Sequence, residues 1–182
     1  MISKLGKIFL LIPIFLNGSC GVLIGNVKPV TERSDDYIVM DLNKTKKDWS
    51  RLPPSTDETD ADQGSSSDVA YQSSKTASII SLSTACRENQ EYSHRELKKF
   101  RELLLLGVSD LKIESESNDP IEKKETLRSV VTGTMEGRQV KISSVVVKAI
   151  PCVYDFMYIA KPENFSLEEE VFSTFLASFR IH

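Results

Sequence analysis

Apolar and polar positions change rhythm several times along the 182 residues. Residues 8–16, IFLLIPIFL, are continuously apolar, with Pro13 the one interruption. Further on, DYIVMDL (36–42) has the look of a short strand, and NKTKKDWSRL carries the sole tryptophan, Trp49. Apolar residues then all but vanish over 51–67, RLPPSTDETDADQGSSS. Such a stretch cannot bury enough surface to offset its ordering entropy, so it is expected to be a mobile, acidic loop or linker. From 69 to 86, VAYQSSKTASIISLSTAC, two β-rich runs flank SSKTA, the pattern of a hairpin.

Ser93 and Glu96 have the spacing of a capping box ahead of HRELKKFRELLLLG. Leu97, Phe100, Leu103, Leu104 and Leu106 fall within one broad helical face, and Gly107 suits its end. LKIESES (111–117) alternates like a strand until SNDP breaks it. ETLRSVVTGTM and RQVKISSVVVKAI flank Glu136-Gly137, the composition of a tight hairpin turn. CVYDFMYIAKP adds a strand ended by Pro162. Ser166 and Glu169 form a second capping-box pattern before LEEEVFSTFLASF, where Leu167, Val171, Phe172, Phe175, Leu176 and Phe179 recur at helical spacing as core positions. Strands joined by short turns imply an antiparallel sheet, and amphipathic helices must cover its faces. The expected class is α+β, an antiparallel β-sheet covered by two or more amphipathic helices.

The N-terminal run is about half the length of a membrane-spanning helix. Lys4 and Lys7 before it and Gly18-Ser19 after it complete the pattern of a secretory signal peptide. Cys20 directly follows the two small residues. That arrangement resembles a bacterial lipobox, in which the cysteine is lipidated and becomes the first residue of the mature chain. Asn17 occupies the place usually taken by leucine, with Leu16 one position further back. The competing reading is an ordinary signal peptide with a chance cysteine, but no A-x-A-like site lies nearby. Gly21 in place of an aspartate leans towards the outer membrane by analogy with enteric bacteria. The organisation expected is a signal peptide (1–19), a tether (20–35) and one domain (36–182) containing the acidic loop at about 51–67. The alternative is that residues 20–67 are all tether.

Charge and cysteine count refine this picture. The chain holds 23 Lys and Arg, two of them in the leader (Lys4 and Lys7), against 26 Asp and Glu, all after it. The mature chain is therefore mildly acidic, which argues against a nucleic-acid partner. Cys86 and Cys152 remain after Cys20. In an exported protein they are a candidate disulfide, the alternative being two buried free thiols.

The segments SDVAYQSSKTASIISLSTAC, ELLLLGVSDLKI, CVYDFMYIAKPENF and FLASFRI resemble a group of delta-proteobacterial envelope lipoproteins with a PsbP-like domain. Shared landmarks are the early aromatic strand with a tryptophan (Tyr37 to Trp49), the Ala177-Ser178-Phe179-Arg180 ending and the helix-led second half. The resemblance implies a PsbP-like α/β/α sandwich over residues 36–182. It carries over no catalytic residue, and the fold serves many binding and assembly roles.

Candidate chemistry is sparse. His94 lies near the start of the first helix and His182 is the last residue, neither in a zinc-ligand pattern. The serines lack a G-x-S-x-G elbow, and no P-loop or G-x-G-x-x-G occurs. The acidic run at 168–170 fits the first turn of a helix, where carboxylates meet the helix dipole. Cys86 and Cys152 are not a C-x-x-C pair, so no redox catalysis is expected. No catalytic, cofactor-binding or metal-binding residue is assigned. Two readings remain: a lipid-anchored, non-catalytic binding or assembly module of the bacterial envelope, meeting a protein partner or an apolar ligand; or a small envelope hydrolase with a site assembled from scattered residues such as Tyr154, Asp155 and Tyr158. The first places the chain at the periplasmic face of the outer membrane.

Overall fold

A computed structural model describes Val27 and residues 36–53, 67–86 and 92–182. The signal peptide, Cys20, the tether apart from Val27 and most of the acidic loop lie outside the described residues. Among those described, the elements run β1 (Tyr37–Ile38), α1 (Leu42–Thr45), β2 (Trp49–Arg51), β3 (Val69–Ser73), β4 (Ile79–Cys86), α2 (Leu97–Leu104), β5 (Ser109–Ser117), β6 (Glu125–Met135), β7 (Arg138–Ala149), β8 (Cys152–Ala160), α3 (Phe165–Ala177) and β9 (Arg180–Ile181). Seven strands form one antiparallel sheet in the order β2-β3-β4-β8-β7-β6-β5, while β1 and β9 pair separately.

Local chemistry explains several of these pieces. Glu136 and Gly137 both take positive φ, 50° and 74°, between the paired residues Met135 and Arg138. That is the two-residue primed turn whose twist matches the flanking strands. Gly133 answers a different demand, because a Cβ there would stand 2.4 Å from Val108 Cγ1 and 2.8 Å from the Ser109 carbonyl oxygen. Only a residue without a side chain lets the chain entering β5 cross so close to β6.

Period-2 alternation divides the central strands between two layers. Tyr154, Phe156 and Tyr158 of β8, Val145 and Val147 of β7, and Ile80 and Leu82 of β4 pack with Phe165, Phe172, Phe175 and Phe179 from the α3 end of the chain. On the other face, Val146 and Val153 meet Tyr92 and Phe100, with α2 above them. Met157, Ile159, Ile142 and Val131 continue that second layer towards Leu105. Helices therefore cover both faces of the sheet, an α+β sandwich.

Both helix starts differ from the sequence pattern. α2 begins after Glu96, which makes no side-chain capping bond, and Ser93 lies outside the helix. α3 starts at Phe165 behind a single 3-10 turn (Pro162–Asn164), leaving Ser166 inside it. Pro162 dictates the second shift, since its fixed φ opens the turn before either capping residue can act. The leucine face of α2 is also narrower than expected. Phe100 is buried, but Leu103 and Leu106 are exposed, because the helix ends at Leu104 and turns directly into the approach to β5.

Candidate functional site

A polar row crosses the α2 face of the sheet. Ser81 on β4 stands opposite Met157 on β8, Met157 opposite Ser144 on β7, Ser144 opposite Ser129 on β6, and Ser129 opposite Glu116 on β5. At its end the Ser129 hydroxyl donates to Glu116 Oε1 (3.2 Å), and Arg101 of α2 donates to the same oxygen at 2.8 Å. Asp155 lies one step along β8, between Ser83 and Val146. The three serines are fully buried, and α2 packs over β6 and β7, which carry Ser129 and Ser144.

The row is incompletely satisfied. Ser81 Oγ, Asp155 Oδ1 and Arg101 Nε are buried without a hydrogen-bond partner among the described residues. Burial alone pushes the Asp155 carboxyl up to about 7, with no cation among the described residues beside it to hold the charge. A carboxyl of this kind is suited to proton exchange near neutrality, but catalysis would need a nucleophile in its reach. Ser83 Oγ donates instead to Ser67 Oγ at 3.3 Å. The described residues of the row form no nucleophile–base pair.

The sheet separates the three residues that sequence brought together as candidates. Tyr154 and Tyr158 point into the α3 core, opposite to Asp155. Burial raises both phenols, Tyr158 to about 12, and the Tyr158 hydroxyl donates to the Phe165 carbonyl at 2.8 Å. These are core tyrosines with satisfied or desolvated tips. His94 and His182 are exposed.

Glu168 escaped sequence reasoning. Rather than facing solvent at the helix start, it is buried and accepts hydrogen bonds from the hydroxyls of Ser73 and Thr76 in the β3–β4 hairpin. No short-range pattern links an acid at 168 to hydroxyls some 90 residues earlier.

The cysteines meet at one end of the sheet. Cys86 and Cys152 are direct cross-strand partners on β4 and β8, with Cα atoms 4.0 Å apart and sulfurs bonded at 2.06 Å. Cys152 is buried and Cys86 exposed, and Asp36 Oδ2 lies 4.0 Å from Cys152 Sγ. The His182 backbone N–H donates to the Asp36 carbonyl at 2.9 Å, so the β1–β9 pair holds Asp36 beside the bridge.

Near the start of α2, an open cleft of about 380 Å³ is lined by Leu97, Asn118, Lys123, Lys124 and Thr126 among others. The Thr126 hydroxyl is already engaged, donating to the Lys124 carbonyl and accepting from the Ile121 N–H. No described helix is long and apolar enough to cross a membrane.

No protein-family model matches the chain, and no curated protein sequence matches it. Solved structures do. Cyanobacterial PsbP (CyanoP) from Synechocystis sp. PCC 6803 is similar at 12% identity and a TM-score of 0.55, over 91% of this chain and 99% of that one. LpqN of Mycobacterium tuberculosis, described as involved in cell envelope biogenesis, is similar at 10% identity and a TM-score of 0.55, over 80% of this chain and 82% of that one. The fold is PsbP-like.

Proposed function

We propose that this chain is a lipid-anchored, non-catalytic binding or assembly module of the bacterial envelope, held through Cys20 at the periplasmic face of the outer membrane. The observation that carries this reading is the N-terminal pattern, a basic start and short apolar run ending in Gly18-Ser19-Cys20. Two further features support it. Cys86 and Cys152 stand in bonding register, as suits an oxidising compartment. The chain also shares its fold with LpqN, whose description places that protein in cell envelope biogenesis. The hydrolase alternative loses its proposed constellation, because Asp155 and the two tyrosines face opposite layers.

Fractionation of cells expressing wild type and Cys20→Ser tests the anchor. Wild type should take up a palmitate analogue and pellet with the outer membrane, while Cys20→Ser should be unlabelled and unprocessed or released. Equal labelling of the two would overturn the lipid anchor. The non-catalytic part is tested by assaying purified protein on ester and peptide substrates. Turnover that is lost in Asp155→Asn or Tyr158→Phe would overturn it.

A further inference from the structure

The geometry points to a redox-gated site for a thiophilic divalent cation of the zinc class, formed by Cys86, Cys152 and Asp36 once the disulfide is reduced. The ligand atoms of these three residues all lie within 4.8 Å of one another. Two thiolates and a carboxylate are donors that such cations accept, at about 2.0–2.3 Å from the metal. A tetrahedral shell with those bond lengths sets two sulfurs about 3.8 Å apart. Opposed β4 and β8 backbones, with Cα atoms at 4.0 Å, already hold the two side chains side by side. Rotation of the exposed Cys86 side chain opens the required gap without moving a strand.

Asp36 is held in place by the chain rather than by the sulfurs. Its carbonyl accepts the His182 N–H, and the neighbouring Tyr37 and Ile38 pair with Ile181 and Arg180. The Asp36 backbone therefore stays at the corner when the bridge opens, and its carboxylate, 4.0 Å from Cys152 Sγ, remains within reach of the sulfurs. Cys86 and Asp36 are both exposed, so the fourth coordination position faces solvent and takes water. Three donors carrying three negative charges meet a dication, leaving one net negative charge that water can solvate.

The opening step needs a dithiol reductant. Its thiolate attacks the exposed Cys86 sulfur, forming a mixed disulfide and expelling Cys152 as a thiolate. The reductant's second thiolate then displaces Cys86, so the reductant leaves as a disulfide and both electrons reside on Cys86 and Cys152. The cation replaces any proton the two sulfurs have taken up. In the oxidised protein neither sulfur is a thiolate, and the site is closed. The site is independent of the lipid anchor.

Cobalt(II) serves as the probe, since thiolate-to-cobalt charge transfer and the visible bands of tetrahedral cobalt report the donor set. Full-length protein carrying Cys20→Ser, so that only two thiols are present, is reduced with a phosphine and titrated without oxygen. Circular dichroism is recorded alongside. A folded, reduced protein should develop both absorptions at one equivalent and lose them to excess zinc or a chelator. The oxidised protein should show neither. Asp36→Asn should weaken binding at least tenfold while leaving the spectrum of the fold unchanged, and Cys86→Ser should abolish the charge-transfer band. The inference is overturned if reduced, folded protein gives no charge-transfer band, if Asp36→Asn binds as tightly as its parent, if the oxidised form binds equally, or if reduction alone unfolds the sheet end that must hold the ligands.

Discussion

Ser73 and Glu168, 95 positions apart, meet in the interior: the Ser73 hydroxyl donates to Glu168 Oε1 at 2.5 Å, while Thr76 donates to Oε2. This buried carboxylate ties the first turn of α3 to the β3–β4 hairpin, at the apolar layer that α3 closes. Hydrogen bonds to a charged group contribute about 1.5–3 kcal/mol each, and unpairing a buried one costs more than removing both partners. Glu168→Ala should therefore lower stability by about 2–3 kcal/mol in urea unfolding. Ser73→Ala should lower it by less, and the double variant should be far from additive. Additive losses would show that the two groups do not interact.

Asp155 sets a pH dependence of definite sign. Its folded-state pKa is raised from 3.8 to about 7 by burial, so the native state binds the proton more tightly than the unfolded chain does. Stability from this group is full below about pH 4, falls as pH rises to about 7, and is flat above. Asp155→Asn should remove that decline and exceed wild type at pH 8 by on the order of 1–3 kcal/mol, a value discounted for partial exposure. Measuring unfolding free energy from pH 4 to 8 in both proteins checks it; parallel curves would contradict it.

The bridge closes a loop with a sequence separation of 66 residues. The chain-entropy model assigns such a loop roughly 4 kcal/mol, before native strain and residual structure reduce it. Cys86→Ser and Cys152→Ser should each lower the melting temperature clearly, and the double variant should be no worse than either single. Non-reducing peptide mapping of protein kept from reductant should recover one Cys86–Cys152 link.

Two glycines separate backbone demand from space. Gly133→Ala drives a Cβ into Val108 and the Ser109 carbonyl, and should cost about 1–3 kcal/mol by overpacking. Gly137→Ala meets nothing within 4 Å but must hold φ of 74°, and should cost about 1 kcal/mol. Removing the Val108 side chain with Val108→Gly should relieve part of the Gly133→Ala loss and none of the Gly137→Ala loss, as read by thermal unfolding.

Much of the architecture was legible along the chain. Glu136-Gly137 announced its hairpin because a primed turn demands positive φ, which few residue pairs tolerate. The alternation of CVYDFMYIA placed Tyr154, Phe156 and Tyr158 on one face because a strand's side chains have no other choice. Cys86 and Cys152 were candidates for a bridge once the leader pattern implied an exported chain. The capping residues misled, since Ser93 and Ser166 matched a local pattern that Pro162 and the turn before α2 overrode.

What the linear sequence could not specify was which polar residues the second layer would bury. Ser81 sits between Ile80 and Leu82, while Ser129 follows Arg128 and Ser144 follows Ser143, and polar positions so placed in a strand read as a face in water. Whether that face meets water depends on where α2 comes to rest, which is decided by packing across five strands. The same holds for Glu168, whose partners lie in a distant hairpin, and for Asp36, brought to the cysteines only when β9 pairs with β1. Local rules determine which segments are strands and helices and which side chains share a face. Only tertiary packing determines which faces are dry, and so which polar groups are left buried, paired or poised, because burial is a property of two surfaces in contact.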